Sequence, residues 1–171
     1  MQKSDLVISF YKGEKKMQIC KIMPVHLEEA LGLVWDVFLQ YDAPDYDTMG
    51  IETFRHFIRY ENMLPKVQSG EMVFWGCYDG SQLAGVIALR TGQHVSLLFV
   101  RKEYQKKGIG KRLIQVLWNH VMESDPEIRA ITVNSSPCGV EFYKRVGFCP
   151  LGAERTENGI RFTPMRSGGI L

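Results

Sequence analysis

The sequence predicts one α/β domain of the mixed α+β kind, in which helices flank a mostly antiparallel sheet that contains one parallel strand pair. The length of 171 residues fits the roughly 100–200 residues of a single domain. Three apolar strands follow one another through tight turns, which is typical of an antiparallel meander. A strand, a helix and another strand then follow, and this order indicates a parallel pair joined by a crossover.

The composition excludes several classes of protein. The chain has 45% hydrophobic and 23% charged residues, unlike a disordered or fibrous protein. Its net charge of +2, from 21 Lys and Arg against 19 Asp and Glu, is too balanced to argue for a nucleic-acid partner. The longest apolar runs have the length of strands, far below the ~20 residues that span a bilayer. We therefore expect neither a nucleic-acid nor a membrane partner.

The four cysteines indicate neither a metal site nor a disulfide framework. Cys20, Cys77, Cys138 and Cys149 include no C-x-x-C pair, and the four histidines complete no zinc pattern. Because no zinc pattern is complete, we expect no metal. Free thiols favour a reducing compartment, so we expect a cytoplasmic location. Residues 1–16 carry a short apolar patch between charges, unlike a signal peptide. We treat them as a candidate N-terminal extension and residues 17–171 as the single domain.

The first half of the chain predicts two helices after a short strand, which ends before Pro24. Apolar side chains then recur at steps of four, three and four, which marks one helix face. These residues are Leu27, Leu31, Val34 and Phe38. Residues 41–50, rich in Asp and Tyr, are typical of a loop, and a second helix begins at a cap formed by Asp47 or Thr48. Residues 65–70 break the helical pattern.

The second half of the chain predicts the meander and the crossover. The meander strands are residues 72–78, 83–89 and 94–100. A helix that begins at Gly108 and a strand at residues 129–134 form the crossover. A further helix ends at Gly147, and Asn158-Gly159 turns a terminal hairpin over residues 151–165.

Six cations gather where the last meander strand ends and the crossover helix begins. They are Arg101, Lys102, Lys106, Lys107, Lys111 and Arg112, opposed by Glu103. N–H groups at a helix start are free and lie at the positive end of the helix dipole, so they bind anions. Gly108 and Gly110 would let the backbone approach a ligand closely. The segment predicts a phosphate or pyrophosphate ligand, with a solvated lysine loop as the alternative interpretation.

Two common phosphate-binding motifs do not fit this segment. A Walker A loop needs Gly at position 105 and Ser or Thr at position 112, where the chain has Gln105 and Arg112. A Rossmann fingerprint needs a third glycine where the chain has Leu113. A phosphate-loop protein for nucleotides or nucleic acid is kept as one alternative function.

With these residues the chain resembles the GNAT superfamily of acetyl-CoA-dependent N-acetyltransferases. The first signature, Arg/Gln-x-x-Gly-x-Gly/Ala after an apolar strand, is matched by Gln105, Gly108 and Gly110. The second, an aromatic pair before Gly-Phe, is matched by Phe142-Tyr143 and Gly147-Phe148. The order of strands and helices agrees as well, so the resemblance covers nearly the whole chain.

The resemblance implies that the parallel strand pair splays and that acetyl-CoA, the co-substrate, lies in the opening. The backbone of Leu98, Phe99 and Val100 would pair with the pantetheine arm, and one N–H there would polarise the thioester carbonyl. The pyrophosphate would lie on Gln105, Lys106, Lys107, Gly108, Ile109, Gly110 and Lys111. Asn134 or Ser136 would contact the pantetheine, because the family often has Asn at the position of Ser136.

Tyr143 matches the family's general acid. The resemblance implies direct attack by a neutral amine in a ternary complex, after which the departing thiolate needs a proton. A thiol pKa near ~8.5 and a tyrosine pKa near ~10 allow a positioned hydroxyl to supply it. A core aromatic with its hydroxyl at the rim is the alternative. Cys138 has no evident base beside it, so we expect no acetyl-cysteine intermediate.

The sequence gives less information about the acceptor than about the acetyl-CoA site. By the resemblance, the acidic and aromatic loop would overhang the acceptor side, with Tyr46 and Asp47 as contacts, and such groups suit a cationic amine. Helix caps and turns explain the same aspartates without a substrate. Glu71, His94 and Glu103 lie near strands, but we assign no general base.

We expect a small-molecule or peptide primary amine as the acceptor. The family is often dimeric, so the resemblance is compatible with a homodimer. A non-catalytic acyl-CoA-binding regulatory module is the alternative function.

Overall fold

The computed structural model describes residues 7–13 and 15–168, and in them helices pack on both faces of one large sheet. The strands are β1 (Ile8–Lys12), β2 (Lys15–Lys21), β3 (Met72–Asp79), β4 (Gln82–Arg90), β5 (His94–Val100), β6 (Thr132–Ser135), β7 (Phe148–Pro150), β8 (Arg155–Glu157) and β9 (Ile160–Ser167). The α-helices are α1 (Leu27–Tyr41), α2 (Thr48–Phe57), α3 (Tyr60–Ser69), α4 (Ile109–Ser124) and α5 (Val140–Arg145). None of these helices is long and apolar enough to cross a membrane.

The strand order is β1-β2-β3-β4-β5-β6-β9-β7, with β8 paired to β9. Strands β5 and β6 are parallel, and the other pairs of described strands are antiparallel. The predicted fold class, a mostly antiparallel sheet with one parallel pair and flanking helices, is therefore confirmed.

Two hydrophobic cores lie on opposite faces of the sheet because side chains alternate along a strand. In β4, Val86 belongs to the core beneath α1 and Ile87 to the core beneath α4. The predicted apolar face of α1 is buried as a whole, from Leu27 at 0% exposure to Phe38 at 1%. Strand β5 contributes Val95 to one core and Leu97 to the other, so it is held from both faces, and β6 contributes Val133 to the core beneath α4.

The structure adds three elements that the sequence analysis did not predict. Strand β1 lies within residues 1–16, the candidate extension, yet it pairs with β2 along its whole length and buries Phe10. Residues 1–6 lie outside the described residues. Helix α3 runs through Pro65, where the pattern predicted a break, and it is anchored by the fully buried Met63. Strand β7 pairs with β9 on the edge opposite to β6, so that β9 lies between the two.

Candidate active site

The parallel pair opens shortly after it begins. Pairing between β5 and β6 is limited to His94 with Thr132 and Val95 with Val133. Strand β5 then continues to Val100 along β4, while β6 continues along β9. The side of β5 that faces β6 therefore has no strand partner over residues 97–100 among the described residues. This free edge includes Leu98, Phe99 and Val100, the predicted partners of the pantetheine arm.

A β-bulge explains why the strands separate at this point. Leu89 pairs with Val95 and Ala88 with Leu97, so Ser96 has no opposite residue on β4. An extra residue of this kind bends its strand and increases the local twist. Because the bulge directly follows the last residue paired with β6, it turns β5 away from β6.

The predicted phosphate loop follows the free edge directly. Helix α4 begins at Gly108, which has φ 79°, and no side chain caps it. The first hydrogen bond of this turn runs from Arg112 N to Gly108 O over 3.1 Å, and the preceding N–H groups have no partner within the helix. The side chains of Lys106, Lys107 and Lys111 are exposed. A Cβ atom at Gly108 would meet nothing within 4 Å, so the approach to this helix start is open.

Gln105 has a positioning role in this loop. Its Nε2 donates to Val100 O over 2.9 Å, which ties the loop to the end of β5. Tyr104 anchors the loop from below, because its hydroxyl donates to Asp79 and Gln82 at 3.0 and 2.9 Å. Ile109 is 2% exposed and packs into the core under α4. These contacts hold the loop in place from its buried side and leave its backbone exposed on the other side.

Tyr143 lies on α5 with its ring in the core and its oxygen accessible. The residue is 7% exposed, and its ring packs edge-on against Phe142 and Phe148. No described residue hydrogen-bonds to its hydroxyl. Every fully buried side-chain oxygen among the described residues has a partner, so solvent must reach this one. Burial and the negative charge of Asp42 raise the pKa of Tyr143, which keeps the hydroxyl protonated at neutral pH.

Asn134 and Ser136 differ in their surroundings. Asn134 is exposed on β6, opposite Pro164 of β9. Ser136 is half-buried in the turn that leads to α5, with its Oγ 3.4 Å from Cys138 Sγ. The turn is packed closely, since a Cβ at Gly139 would lie 3.6 Å from Tyr143 Cε2. Of the two predicted pantetheine contacts, Ser136 is the one that shares a turn with the residues packed on Tyr143.

The acidic loop is docked onto β9 and the turn before it. The Tyr46 hydroxyl donates to Arg161 O over 3.1 Å, and Arg161 also lies 4.0 Å from the Asp45 carboxylate. Asp47 caps α2, accepting from Gly50 N over 2.8 Å. Position 50 requires glycine, because a Cβ there would overlap Gly159 O of the β8–β9 turn. The polar atoms of Tyr46 and Asp47 thus have partners within the protein.

Comparison with known proteins decides the family. The family profile described as an acetyltransferase (GNAT) domain matches residues 42–167, which is most of the chain. The chain belongs to the GNAT acetyltransferase family. The matched region begins at the acidic loop and contains the splayed strands, the phosphate loop and Tyr143.

Solved structures share the GNAT fold at low sequence identity. A GCN5-related N-acetyltransferase from Rhodopseudomonas palustris is similar with a TM-score of 0.72 and 18% identity, covering 87% of this chain and 93% of that one. The PaiA N-acetyltransferase from Thermoplasma acidophilum, in complex with coenzyme A, gives 0.70 and 23%, covering 88% and 98%. A GNAT-family acetyltransferase from Staphylococcus aureus Mu50 gives 0.67 and 18%, with the same coverage. No match was found among curated proteins.

One residue of the acidic loop of this GNAT domain, Asp42, was not among the acceptor contacts predicted from the sequence, which were Tyr46 and Asp47. Asp42 follows α1 and is 6% exposed, and its Oδ1 accepts a hydrogen bond from Cys138 Sγ over 3.3 Å. The sequence analysis found no base beside Cys138, and the structure corrects this. Burial and the Asp42 charge nevertheless raise the pKa of Cys138 to about 11, so the thiol stays protonated. A signal was present, because the stripe Leu27, Leu31, Val34, Phe38 reaches position 42 after one further step of four.

No group of three metal-ligating side chains comes together within residues 7–13 and 15–168.

Proposed function

We propose that this protein transfers an acetyl group from acetyl-CoA to a primary amine, by direct attack in a ternary complex. The single observation that carries the proposal is a continuous ligand path. The unpaired edge of β5 is followed, after the loop of residues 101–108, by the uncapped start of α4. An extended amide-containing chain that ends in a pyrophosphate matches this path from end to end. Acetyl-CoA has that shape, and the PaiA relative is in complex with coenzyme A.

Each part of the path would hold one part of acetyl-CoA. The backbone groups of Leu98, Phe99 and Val100 that point away from β4 would pair with the pantetheine arm as an added strand would, and Val100 O already accepts from Gln105. The free amides at the start of α4 would bind the pyrophosphate, with the exposed lysines adding positive charge. Ser136 or Asn134 would contact the arm from the β6 side.

Tyr143 would act as the general acid. In the reaction the amine nitrogen bonds to the acetyl carbon and the carbon–sulfur bond breaks. Sulfur then takes the Tyr143 hydroxyl proton, and the tyrosinate is reprotonated afterwards. A hydroxyl that solvent reaches and no protein group occupies is free to make this contact. A β5 N–H would stabilise the charge that develops on the acetyl oxygen.

The acceptor side would be the acidic and aromatic loop before α2. Next to this loop the ring of Phe38 stacks on that of Phe54, with ring centroids 4.0 Å apart, and the ring of Tyr46 lies tilted against Phe38 at 5.6 Å. Aromatic faces and carboxylates suit a small-molecule or peptide amine that arrives as a cation. Tyr46 and Asp47 stay predictions as acceptor contacts. We also propose that the enzyme acts in the cytoplasm, without a metal, and a homodimer is compatible with this proposal.

The test begins with acetyl-CoA consumption across polyamines, aminoglycosides, amino acids and peptides with free N-termini. In parallel, the Tm is measured in the presence of coenzyme A, ATP or an oligonucleotide. A ligand at 100 times its Kd stabilises the folded state by about 2.7 kcal/mol, so coenzyme A alone should raise the Tm. Stabilisation by ATP or an oligonucleotide would favour a phosphate-loop protein, and binding without turnover would favour the acyl-CoA-binding module.

Tyr143→Phe tests the assignment of the acid. We expect kcat to fall by roughly 10²-fold, the lower end of what general acid catalysis contributes, while coenzyme A affinity is kept. Tyr78→Phe is the matched control, because it removes the same hydroxyl from a half-buried tyrosine of β3 outside the splayed pair. Equal activities of the two variants would remove Tyr143 from the mechanism.

A further inference from the structure

Asp42 is the only charged side chain among the described residues that is buried. No cation among the described residues lies within salt-bridge distance of Asp42, and Arg161 contacts Asp45 and Glu154 instead. A buried carboxylate without a cation is costly, and proteins retain such groups where they serve a function. Burial raises the pKa of Asp42 above its ordinary range.

Asp42 and Tyr143 lie on either side of one short turn. Cys138 donates to the carboxylate over 3.3 Å, and a Cβ at the neighbouring Gly139 would lie 3.6 Å from Tyr143 Cε2. The Asp42 charge acts on both tyrosines of the site, because it raises the pKa of Tyr46 as well as that of Tyr143. The carboxylate therefore belongs to the same site as the unpaired hydroxyl.

The groups that face Asp42 come from several elements. They are Asp45 and Tyr46 after α1, Ser136 and Cys138 in the turn after β6, and Tyr143 on α5. The hydrogen bonds from Ser136 and Cys138 lower its pKa, whereas burial, the largest effect, and the Asp45 charge raise it. Burial raises the pKa of Tyr46, Cys138 and Tyr143, so these three groups stay protonated. The Asp45 carboxylate is more exposed than Asp42 and lies 4.0 Å from Arg161.

The other acids and bases considered from the sequence lie elsewhere. His94 is at the closed end of the parallel pair, where its Nδ1 lies 2.9 Å from Thr132 Oγ1. Burial and the Arg90 charge lower its pKa to about 4. Glu71 is paired with Lys66 over 3.3 Å.

We propose that the Asp42 carboxylate accepts the proton of the attacking amine, so that the acceptor is a basic alkylamine that arrives as an ammonium ion. This inference rests on the proposed acetyl transfer and names its missing base. The N–H bond of the ammonium breaks and an O–H bond forms on Asp42. The nitrogen lone pair then bonds to the acetyl carbon, sulfur leaves with the Tyr143 proton, and the proton lost from the amine on amide formation goes to solvent. Transfer of the Asp42 proton to the Tyr143 oxygen, directly or through solvent, then restores both groups.

The two proton transfers would assist each other. While Asp42 is charged it keeps Tyr143 protonated, and it attracts the ammonium ion. Once Asp42 is protonated, that charge disappears and the Tyr143 hydroxyl becomes more acidic. The acid therefore gains strength after the base has acted, which is the order that the reaction needs.

The experiment compares Asp42→Asn with Asp45→Asn on the best alkylamine of the acceptor panel, over a range of pH. Asparagine keeps the shape of Asp42 and can still accept from Cys138, but it cannot take a proton. Asp45→Asn is the matched control, because it removes a neighbouring carboxylate that is half exposed and already lies near Arg161. Coenzyme A affinity is measured for each variant to verify that the proposed binding site on β5 and the start of α4 is intact.

We expect Asp42→Asn to lower kcat/KM by about 10²-fold or more near neutral pH. The loss should shrink as pH rises toward the amine pKa of ~10, because solution then supplies the neutral amine. Asp45→Asn should keep the wild-type activity near neutral pH, and its acidic limb should move to lower pH, because the Asp45 charge raises the pKa of Asp42. A loss that stays constant with pH, or activity of Asp42→Asn equal to that of Asp45→Asn, would overturn the assignment of Asp42.

Two further readouts keep the test decisive. Cys138→Ala removes a hydrogen bond to the charged form of Asp42, so the acidic limb of the pH profile should move to higher pH. If Asp42→Asn does not fold, this shift carries the test, and an unchanged limb contradicts the proposal. A wild-type protein that binds coenzyme A but acetylates no amine overturns the proposed function, and the inference with it.

Discussion

The basic loop, residues 101–112, and the acidic segment, residues 42–52, have similar charge densities but use their charges differently. In the basic loop the start of α4 has no cap, and its lysines are exposed. In the acidic segment Asp45 contacts Arg161 and Asp47 caps α2. Arg101, Lys107 and Arg112 also have partners inside the protein. The uncapped helix start, more than the number of charges, therefore indicates a binding surface.

Asp42 is the exception within the acidic segment. Its charge is buried and faces no cation, whereas Asp45 and Asp47 act through contacts that any turn or helix cap would make. In the site that we propose, the two regions would contribute different groups: exposed backbone N–H groups from the basic loop and a single buried carboxylate from the acidic segment. The following predictions test this contrast, beginning with the largest expected effect.

Gly108→Ala should weaken coenzyme A binding by about tenfold or more, equivalent to ~1.4 kcal/mol. The new Cβ would stand at the open helix start, where we propose that the pyrophosphate approaches the backbone. The substitution also strains the chain, since φ is 79° and an alanine there costs about 1 kcal/mol. Isothermal titration calorimetry measures the affinity, and thermal unfolding measures the strain.

Gly70→Ala separates strain from binding. Gly70 has φ 79° and ψ 5°, and Gly108 has φ 79° and ψ 3°, with open space around both. The two variants should lose similar stability, a few °C in Tm, and only Gly108→Ala should lose affinity. If Gly70→Ala weakened coenzyme A binding equally, the loop would not be the pyrophosphate site.

The contrast also explains what could be predicted from the sequence. The basic loop is contiguous, so Gln105, Gly108 and Gly110 were enough to predict a phosphate-binding segment without knowledge of the rest of the fold. Asn158 and Gly159 likewise predicted their turn, and both have positive φ. The contact between Asp42 and Cys138 joins residues 96 positions apart, and no local pattern contains such a pair.

The missed elements have a similar physical reason. Strand β1 is stabilised by pairing with β2 and by burial of Phe10, which its short charged sequence does not indicate. Helix α3 contains Pro65, which is unfavourable in a helix interior. Its tertiary contacts through Met63 outweigh that preference.

Asp47→Ala should lower stability by about 1 kcal/mol, because α2 loses its N-cap. Asp47→Ser should recover most of that stability, since serine caps a helix without a charge. Thermal unfolding and the KM for the acceptor are measured for both variants. If the carboxylate serves only as the cap, KM is unchanged in each, whereas a rise in KM shared by both would establish the predicted acceptor contact.

Asp42→Asn should raise stability at neutral pH by up to about 1 kcal/mol, or a few °C in Tm, because an unpaired buried charge is removed. The folded protein holds the pKa of Asp42 above its unfolded value. The charge therefore destabilises the wild type fully above the raised pKa, and this effect vanishes below about pH 4, where both states are protonated. The Tm difference between variant and wild type should shrink across that acidic window, while Asp45→Asn changes little at any pH. If Asp42→Asn were instead destabilised equally at acidic and neutral pH, the carboxylate would act through its hydrogen bonds to the Cys138 turn. Asp42 would then be a structural residue, as Asp47 is at α2, and the contrast within the acidic segment would be lost.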